Sequence, residues 1–369
     1  MSGKSFRLFM TGLILIPYSC FAQDSTVVGK QPPWYEKIAI NGFVSFGYSY
    51  NLNKPDVGKN FYRVFDFDDN SFKVDVIEMS LKKEAAYKGD AGFRFDLAAG
   101  SSIPRISQSS GLNIGDIGIR QMYLSYDAPV GTGLRLDFGK FITSMGYEVI
   151  EGNDGYNDNY SRSFLFGYAI PFTHTGIRAG YTFNENISAM FMIVNGWDNT
   201  VDSNKSKSVC AQVGIVPVDG LNLSANYMIG PEKTNNNSDN RSLFDVVGMY
   251  KLTEQLTIGI NADYGTEQHS AGAGRNATWE GFAGYAKVRL SKDFSFAMRG
   301  EQFEDNDGVR TGISQKLREL TLTPEFRPAG NFIIRGDLRL DKSDQNVFQN
   351  ESTWKDTQMT LALNILYSL

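Results

Sequence analysis

The sequence predicts an all-β protein: a transmembrane, antiparallel, up-and-down β-barrel of about 16 strands, after a cleaved signal peptide. Three observations carry this. Segments of about ten residues alternate apolar and polar side chains as far as the last residue. The connections between them alternate short and long. An export signal precedes them. Composition excludes the rivals. The 26 Phe and 18 Tyr rule out a disordered chain. Two cysteines rule out a disulfide scaffold or a cysteine zinc site. Mean hydropathy is −0.29, and no long uncharged apolar run follows the N-terminus, so a helical membrane bundle is excluded.

Residues 1–22 read as the signal peptide. Lys4 and Arg7 form a positive start, Leu8 to Ile16 an apolar stretch, and Cys20-Phe21-Ala22 a small-x-small cleavage site before Gln23. Cys20 as a lipoprotein cysteine is the rival, and Pro17 and Tyr18 fit it poorly. Cleavage removes two cations and no acid, taking the net charge from −5 to −7. An acidic exported chain argues against nucleic acid as a partner. Residues 23–36, with Pro32-Pro33-Trp34-Tyr35, read as a periplasmic lead.

The barrel is expected over 37–369. In 332–341 one parity reads Phe, Ile, Gly, Leu, Leu and the other Ile, Arg, Asp, Arg, Asp. Side chains alternate faces along a strand, so one face is apolar and the other charged. Phe93, Phe95 and Leu97 oppose Arg94 and Asp96 in the same way. Short connections are expected near 88–90, 129–133, 184–186, 218–220, 253–255, 291–293 and 328–331. Long ones are expected near 51–72, 101–117, 144–172, 197–205, 231–241, 266–278, 304–313 and 343–354. Short turns on one rim and long loops on the other mark an outer-membrane barrel. Lipid cannot satisfy a free backbone edge, so the sheet must close, apolar side outward. Tyr126, Phe183, Tyr250, Phe326 and Tyr367, near strand ends, suit an interfacial girdle.

The last strand puts Leu363, Ile365, Tyr367 and Leu369 on one parity. That resembles the signal read by the barrel-insertion machinery, with Leu369 where Phe is usual.

The chain resembles the outer-membrane porins of the putative β-barrel porin-2 (OmpL-like) family. The resemblance rests on Gly139-Lys140-Phe141, Gly146-Tyr147-Glu148, Asn159-Tyr160-Ser161-Arg162-Ser163, Pro171-Phe172-Thr173-His174-Thr175-Gly176 and Asp263-Tyr264-Gly265. It implies passive diffusion of small hydrophilic solutes across the outer membrane of a Gram-negative bacterium. Gln23 after the cleavage site resembles signal peptides of the Bacteroidota. No solute is implied. The oligomeric state stays open, with a homotrimer of the general-porin kind among the alternatives.

The charged parity supplies the expected pore wall: Arg94, Asp96, Arg135, Asp137, Arg299, Glu301, Arg335, Asp337, Arg339 and Asp341. Such a face must be wet or paired. A barrel of about 16 strands is too wide to fill with its own side chains, which favours a water-filled channel over a plug. Arg339→Leu is then expected to be tolerated, and Leu338→Arg is not. The loop 144–172 is the third long loop, the one that narrows general porins. It is expected to fold inward and present Glu148, Glu151, Asp154 and Asp158 to luminal arginines, with a modest lean towards cations. Asp66, Asp68, Asp69 and Asn70 lack the spacing of a calcium loop and read as a solvated loop. No cofactor and no metal site is expected. Outer-membrane lipid, the insertion machinery and small solutes are the expected partners.

Two other classes stay open. One is a structural or adhesive barrel acting through Asn-rich loops such as 235–237. The other is an outer-membrane lipid hydrolase centred on His174, with Ser161 and Asn159. A nucleophile must touch its base, and spacing alone does not supply that contact. Cys210 reads as an inert small residue.

Overall fold

The computed structural model describes residues 37–106 and 113–369. The expected signal peptide and periplasmic lead therefore lie outside the described residues. Sixteen strands span the barrel: β1 (Ala39–Asn51), β2 (Ser71–Lys83), β3 (Ala91–Ala99), β4 (Ile117–Ala128), β5 (Leu134–Ile142), β6 (Thr173–Asn184), β7 (Ile187–Val194), β8 (Ser208–Val218), β9 (Leu221–Pro231), β10 (Asn240–Lys251), β11 (Leu256–Glu267), β12 (Ala277–Arg289), β13 (Phe294–Asp305), β14 (Gln315–Ala329), β15 (Phe332–Ser343) and β16 (Thr357–Ser368). All neighbours pair antiparallel. β1 pairs with both β2 and β16, so the sheet closes and leaves no edge.

The apolar parity lies outside. Leu340, Leu361 and Leu363 are 44–47% exposed, as side chains meeting lipid should be. The charged parity lies inside, and Arg299, Arg335, Arg339 and Asp341 are fully buried. Of the expected girdle, Tyr126, Phe183, Phe326 and Tyr367 are exposed outward near the short-turn rim, and Tyr250 is half-buried there.

Short turns and long loops segregate to opposite rims. The first short turn runs 84–90, longer than expected, because β2 ends at Lys83. The last long loop carries its own hairpin, Phe348–Asn350 with Thr353–Lys355.

Two bulges re-aim side chains. Ser45 pairs with Val76 and Phe46 with Val74, so Asp75 is the extra residue and both Asp75 and Val76 turn inward. Asp96 pairs with Gln121 and Leu97 with Ile119, so Arg120 is extra and enters the bore beside Gln121.

Candidate functional site: the loop that crosses the bore

The loop 143–172 leaves β5 and runs across the barrel. It starts on one wall. The Ser144 hydroxyl donates to Asn226 of β9, the Gly146 N–H to Asp245 of β10, and the Tyr147 N–H to Asn261 of β11. The Tyr147 ring stacks on Tyr285 of β12 at 4.0 Å, a close approach that Gly259 permits, since a Cβ there would overlap the Tyr147 ring. The chain then turns back. The guanidinium of Arg120 donates to the carbonyls of Ile150 and Glu151 from β4, and Asn153 donates to Glu78 of β2. The return leg lies along β14 and β15, where Asp337 accepts the N–H groups of Tyr160 and Ser161.

Each loop acid meets a wall cation. Glu148 lies 2.5 Å from Arg299, Glu151 2.8 Å from Arg335, Asp154 2.5 Å from Arg94 and Asp158 2.7 Å from Lys287. The fourth partner is a lysine, not an arginine. Burial alone would raise Glu151, but the guanidiniums of Arg162 and Arg335 hold it below the usual carboxylate range. Arg94 does the same for Asp154.

The rest of the wall is paired as well. Arg299 also holds Glu319 at 2.7 Å, Arg339 holds Asp341 at 2.7 Å, and Arg135 and Arg178 hold Asp137 at 2.9 and 2.8 Å. Asp96 accepts from Ser80, Arg94 and Gln121, and Glu301 accepts the N–H of Leu165. At Arg299, Arg335, Arg339 and Asp341 the wall is covered and fully buried, not lined by open water as expected, whereas Arg135 and Arg178 keep partial exposure. Loops fill what strand side chains cannot reach.

A second loop joins the filling. Residues 52–70 turn inward too, with Arg63 bridging Asp66 and Asp341. The reading of Asp66, Asp68, Asp69 and Asn70 as a solvated loop is thereby corrected at Asp66; Asp68 and Asp69 are half-buried and Asn70 is exposed. Asp66 is 2% exposed on Arg63, Asp68 pairs with Lys59, and Asp69 accepts the Asn51 N–H.

One arc of wall stays clear. From β5 to β8 the crossing loop is held only at its start, where Thr143 meets His174 and the Ser144 carbonyl accepts from Gln212; below that no hydrogen bond joins it to these strands among the described residues, and Arg135, Arg178 and Met190, with Tyr123 of β4 beside them, keep partial exposure. A methyl group placed on Gly180 would meet no atom within 4 Å. Arg178 lies over Phe141, 4.5 Å from the ring centroid, while it holds Asp137, so its position is fixed.

Sequence reasoning missed Arg63, Arg120, Arg178 and Lys287, and singled out Arg162 only within a family motif, not as a partner of Glu151. Arg120 sits at a bulge, where parity fails. Arg63 and Arg162 sit in loops, where there is no parity to read. Arg178 and Lys287 lie on inward positions and were legible by alternation.

His174 is fully buried, with Nδ1 3.2 Å from the Gly196 carbonyl and Nε2 3.2 Å from the Thr143 hydroxyl. The Ser161 hydroxyl donates to Asp337 instead. The two are not hydrogen-bonded, so the hydrolase arrangement is not assembled. Leu363, Tyr367 and Leu369 are exposed on the outer face, Ile365 is half-buried beside them, and Cys210 is buried and free. No cluster of three or more potential metal ligands occurs among the described residues.

A closed barrel, apolar outside and charged within, with a long loop across its bore, has the architecture of the outer-membrane porins. The chain belongs to the family described as putative beta-barrel porin-2, OmpL-like, which matches residues 37–369. The fold is similar to an anion-selective porin from Comamonas acidovorans (TM-score 0.61, 10% identity, 90% of this chain and 99% of that one). It is similar to the outer membrane channel DcaP of Acinetobacter baumannii (TM-score 0.61, 12% identity, 90% and 97%). It is also similar to OprB of Pseudomonas putida (TM-score 0.59, 11% identity, 91% and 95%). No curated protein sequence matches the chain significantly.

Proposed function

We propose that this protein is a passive outer-membrane porin for small hydrophilic solutes, and that solutes pass along the arc between β5 and β8. The observation that carries this is the asymmetry of the crossing loop. It is bonded to the wall from β9 round to β4 and leaves the arc at Gly180 unbridged. The loop narrows a wide bore to a crescent, which sets a size limit without a moving part.

The crescent carries Arg135 and Arg178 against Asp127 and Asp137. These balance. The four loop acids are neutralised by their wall partners and add little field. The cation lean expected from the acidic loop is therefore withdrawn in favour of weak selectivity. A structural barrel would need no such crescent.

Deleting residues 150–160 tests the reading. It removes the middle of the crossing loop and lets water reach Arg94 and Arg335. Single-channel conductance in planar bilayers should rise severalfold. An unchanged conductance would place the ion path elsewhere.

A further inference from the structure

Two motifs in the sequence are not used by the crossing loop's charges: Pro171 to Gly176 and Asp263 to Gly265. Both converge on the loop-side mouth of the barrel. His174 fixes the Gly196 carbonyl at 3.2 Å. Asp198 accepts the N–H groups of Phe172 and Thr173 at 2.6 and 2.8 Å, and its own N–H donates to the Thr173 carbonyl. Gly196 has a φ of 124°, a conformation only glycine takes easily. The residue so presented is Trp197, whose N–H donates to Glu232 at 2.7 Å. Gly265 does the matching work on the wall. A Cβ there would overlap the indole of Trp279. That indole donates to the Ala169 carbonyl at 3.1 Å and meets Trp197 edge to face at 6.3 Å.

The two indoles hold Arg310. Its guanidinium lies 4.9 Å from the Trp197 ring and 5.3 Å from the Trp279 ring. Its Nε donates to the Tyr168 carbonyl at 2.6 Å. The backbone is fixed too, because the buried Asp305 carboxylate accepts the N–H groups of Val309, Arg310 and Thr311. Yet no carboxylate forms an ion pair with Arg310 among the described residues, and no hydrogen bond engages its two terminal nitrogens. Burial and the neighbouring Arg241, which also lies on Trp197 at 5.0 Å, pull it down to about 10. Arg241 itself is engaged by Glu267 at 2.8 Å.

We propose that Arg310, held between Trp197 and Trp279, is a binding site for small organic carboxylates at the loop-side mouth. A rigid guanidinium with two coplanar donors free matches the two oxygens of a carboxylate. The class follows from charge. One fork is free, Arg241 is already paired, and Asp198, Glu267 and Asp305 stand close by. A singly charged, planar anion fits this setting, and a phosphate dianion does not. The indoles hold the guanidinium against aromatic faces, so little side-chain freedom remains to be lost on binding. The site deepens the porin reading, since a mouth that captures an anion matters to a channel.

The test is binding in detergent micelles, read by tryptophan fluorescence, with benzoate, its uncharged analogue benzamide, and methyl phosphate as probes. Folding of each variant is checked by its heat-modifiable gel mobility. Wild-type protein should bind benzoate at least about tenfold more tightly than either other probe. Arg310→Gln should abolish that preference, and Arg310→Lys should restore only part of it, since the ammonium lacks the fork. Equal binding of benzamide would overturn the charge argument. Equal binding of methyl phosphate would overturn the carboxylate class and point to phosphate, such as that of a lipid headgroup. A preference that survives in Arg310→Gln would overturn the site. Conductance of the same variant in potassium chloride alone reports on the porin reading separately.

Discussion

Glu151 Oε1 lies 2.8 Å from the Arg335 guanidinium and joins the middle of the crossing loop to a strand on another side of the bore. Arg335 is fully buried and also donates to Asn364, so the contact is locked from both ends. Removing one partner of a buried pair leaves the other charge unpaired, at about 3–5 kcal/mol. Arg335→Leu and Glu151→Gln should each lower unfolding stability by that order in urea titrations. The double variant should cost less than the sum. Single variants that cost nothing would show that the loop is held elsewhere.

Leu338→Arg and Arg339→Leu should both be damaging, for opposite reasons. Leu338 belongs to the lipid-facing parity, where an Arg near midplane costs about 2–4 kcal/mol. Arg339→Leu takes one of two cations from Asp341 and from Glu319, 2.7 and 3.6 Å away, and leaves Arg63 and Arg299 alone to offset those buried carboxylates. This reverses the tolerance that the alternation pattern alone suggests. Refolding yield into micelles checks both. A well-folded Arg339→Leu barrel would mean that water reaches this wall.

Selectivity should be weak. With Arg135 and Arg178 set against Asp127 and Asp137, the crescent has no dominant sign. A potassium chloride gradient across a bilayer should give a reversal potential near zero. Asp137→Asn should shift it towards anions. A strong cation preference in the wild type would return the field to the loop acids.

The mouth should respond to pH. Burial raises Asp198 to about 6 and Glu232 to about 7. Both folded values lie above the unfolded ones, so the folded state holds extra protons across that window. Its stabilising contribution is complete below the usual carboxylate range and is lost as pH rises through 6 to 7. Protection factors in 195–207, corrected for the base-catalysed intrinsic exchange rate, should therefore be higher at pH 5 than at pH 8. Lower protection at pH 5 would contradict the sign.

The barrel was legible because its physics is periodic. Alternation in 332–341 and in the last strand fixes which side chains meet lipid, and loop ranges read from composition fall within a few residues of the strand ends. The inward fold of 52–70 was not legible. Arg63 pairs with Asp66 and, across 278 positions in sequence, with Asp341, and no local pattern encodes that. Arg120 escaped for a different reason, since a single extra residue in β4 breaks the parity that would reveal it. The motif glycines were visible, but their purpose was not. Gly265 is explained only by the indole of Trp279 lying against it.

The central claim is that ions cross beside Gly180, and the most direct measurement is single-channel conductance of wild type and Gly180→Trp in planar bilayers. A Cβ at Gly180 meets only open space, so a tryptophan can fold into the crescent without displacing the wall. Steady, ohmic steps are expected for the wild type and clearly smaller steps for Gly180→Trp, with both barrels equally folded. Folded wild-type protein that gives no steps, or Gly180→Trp steps of wild-type size, would contradict it.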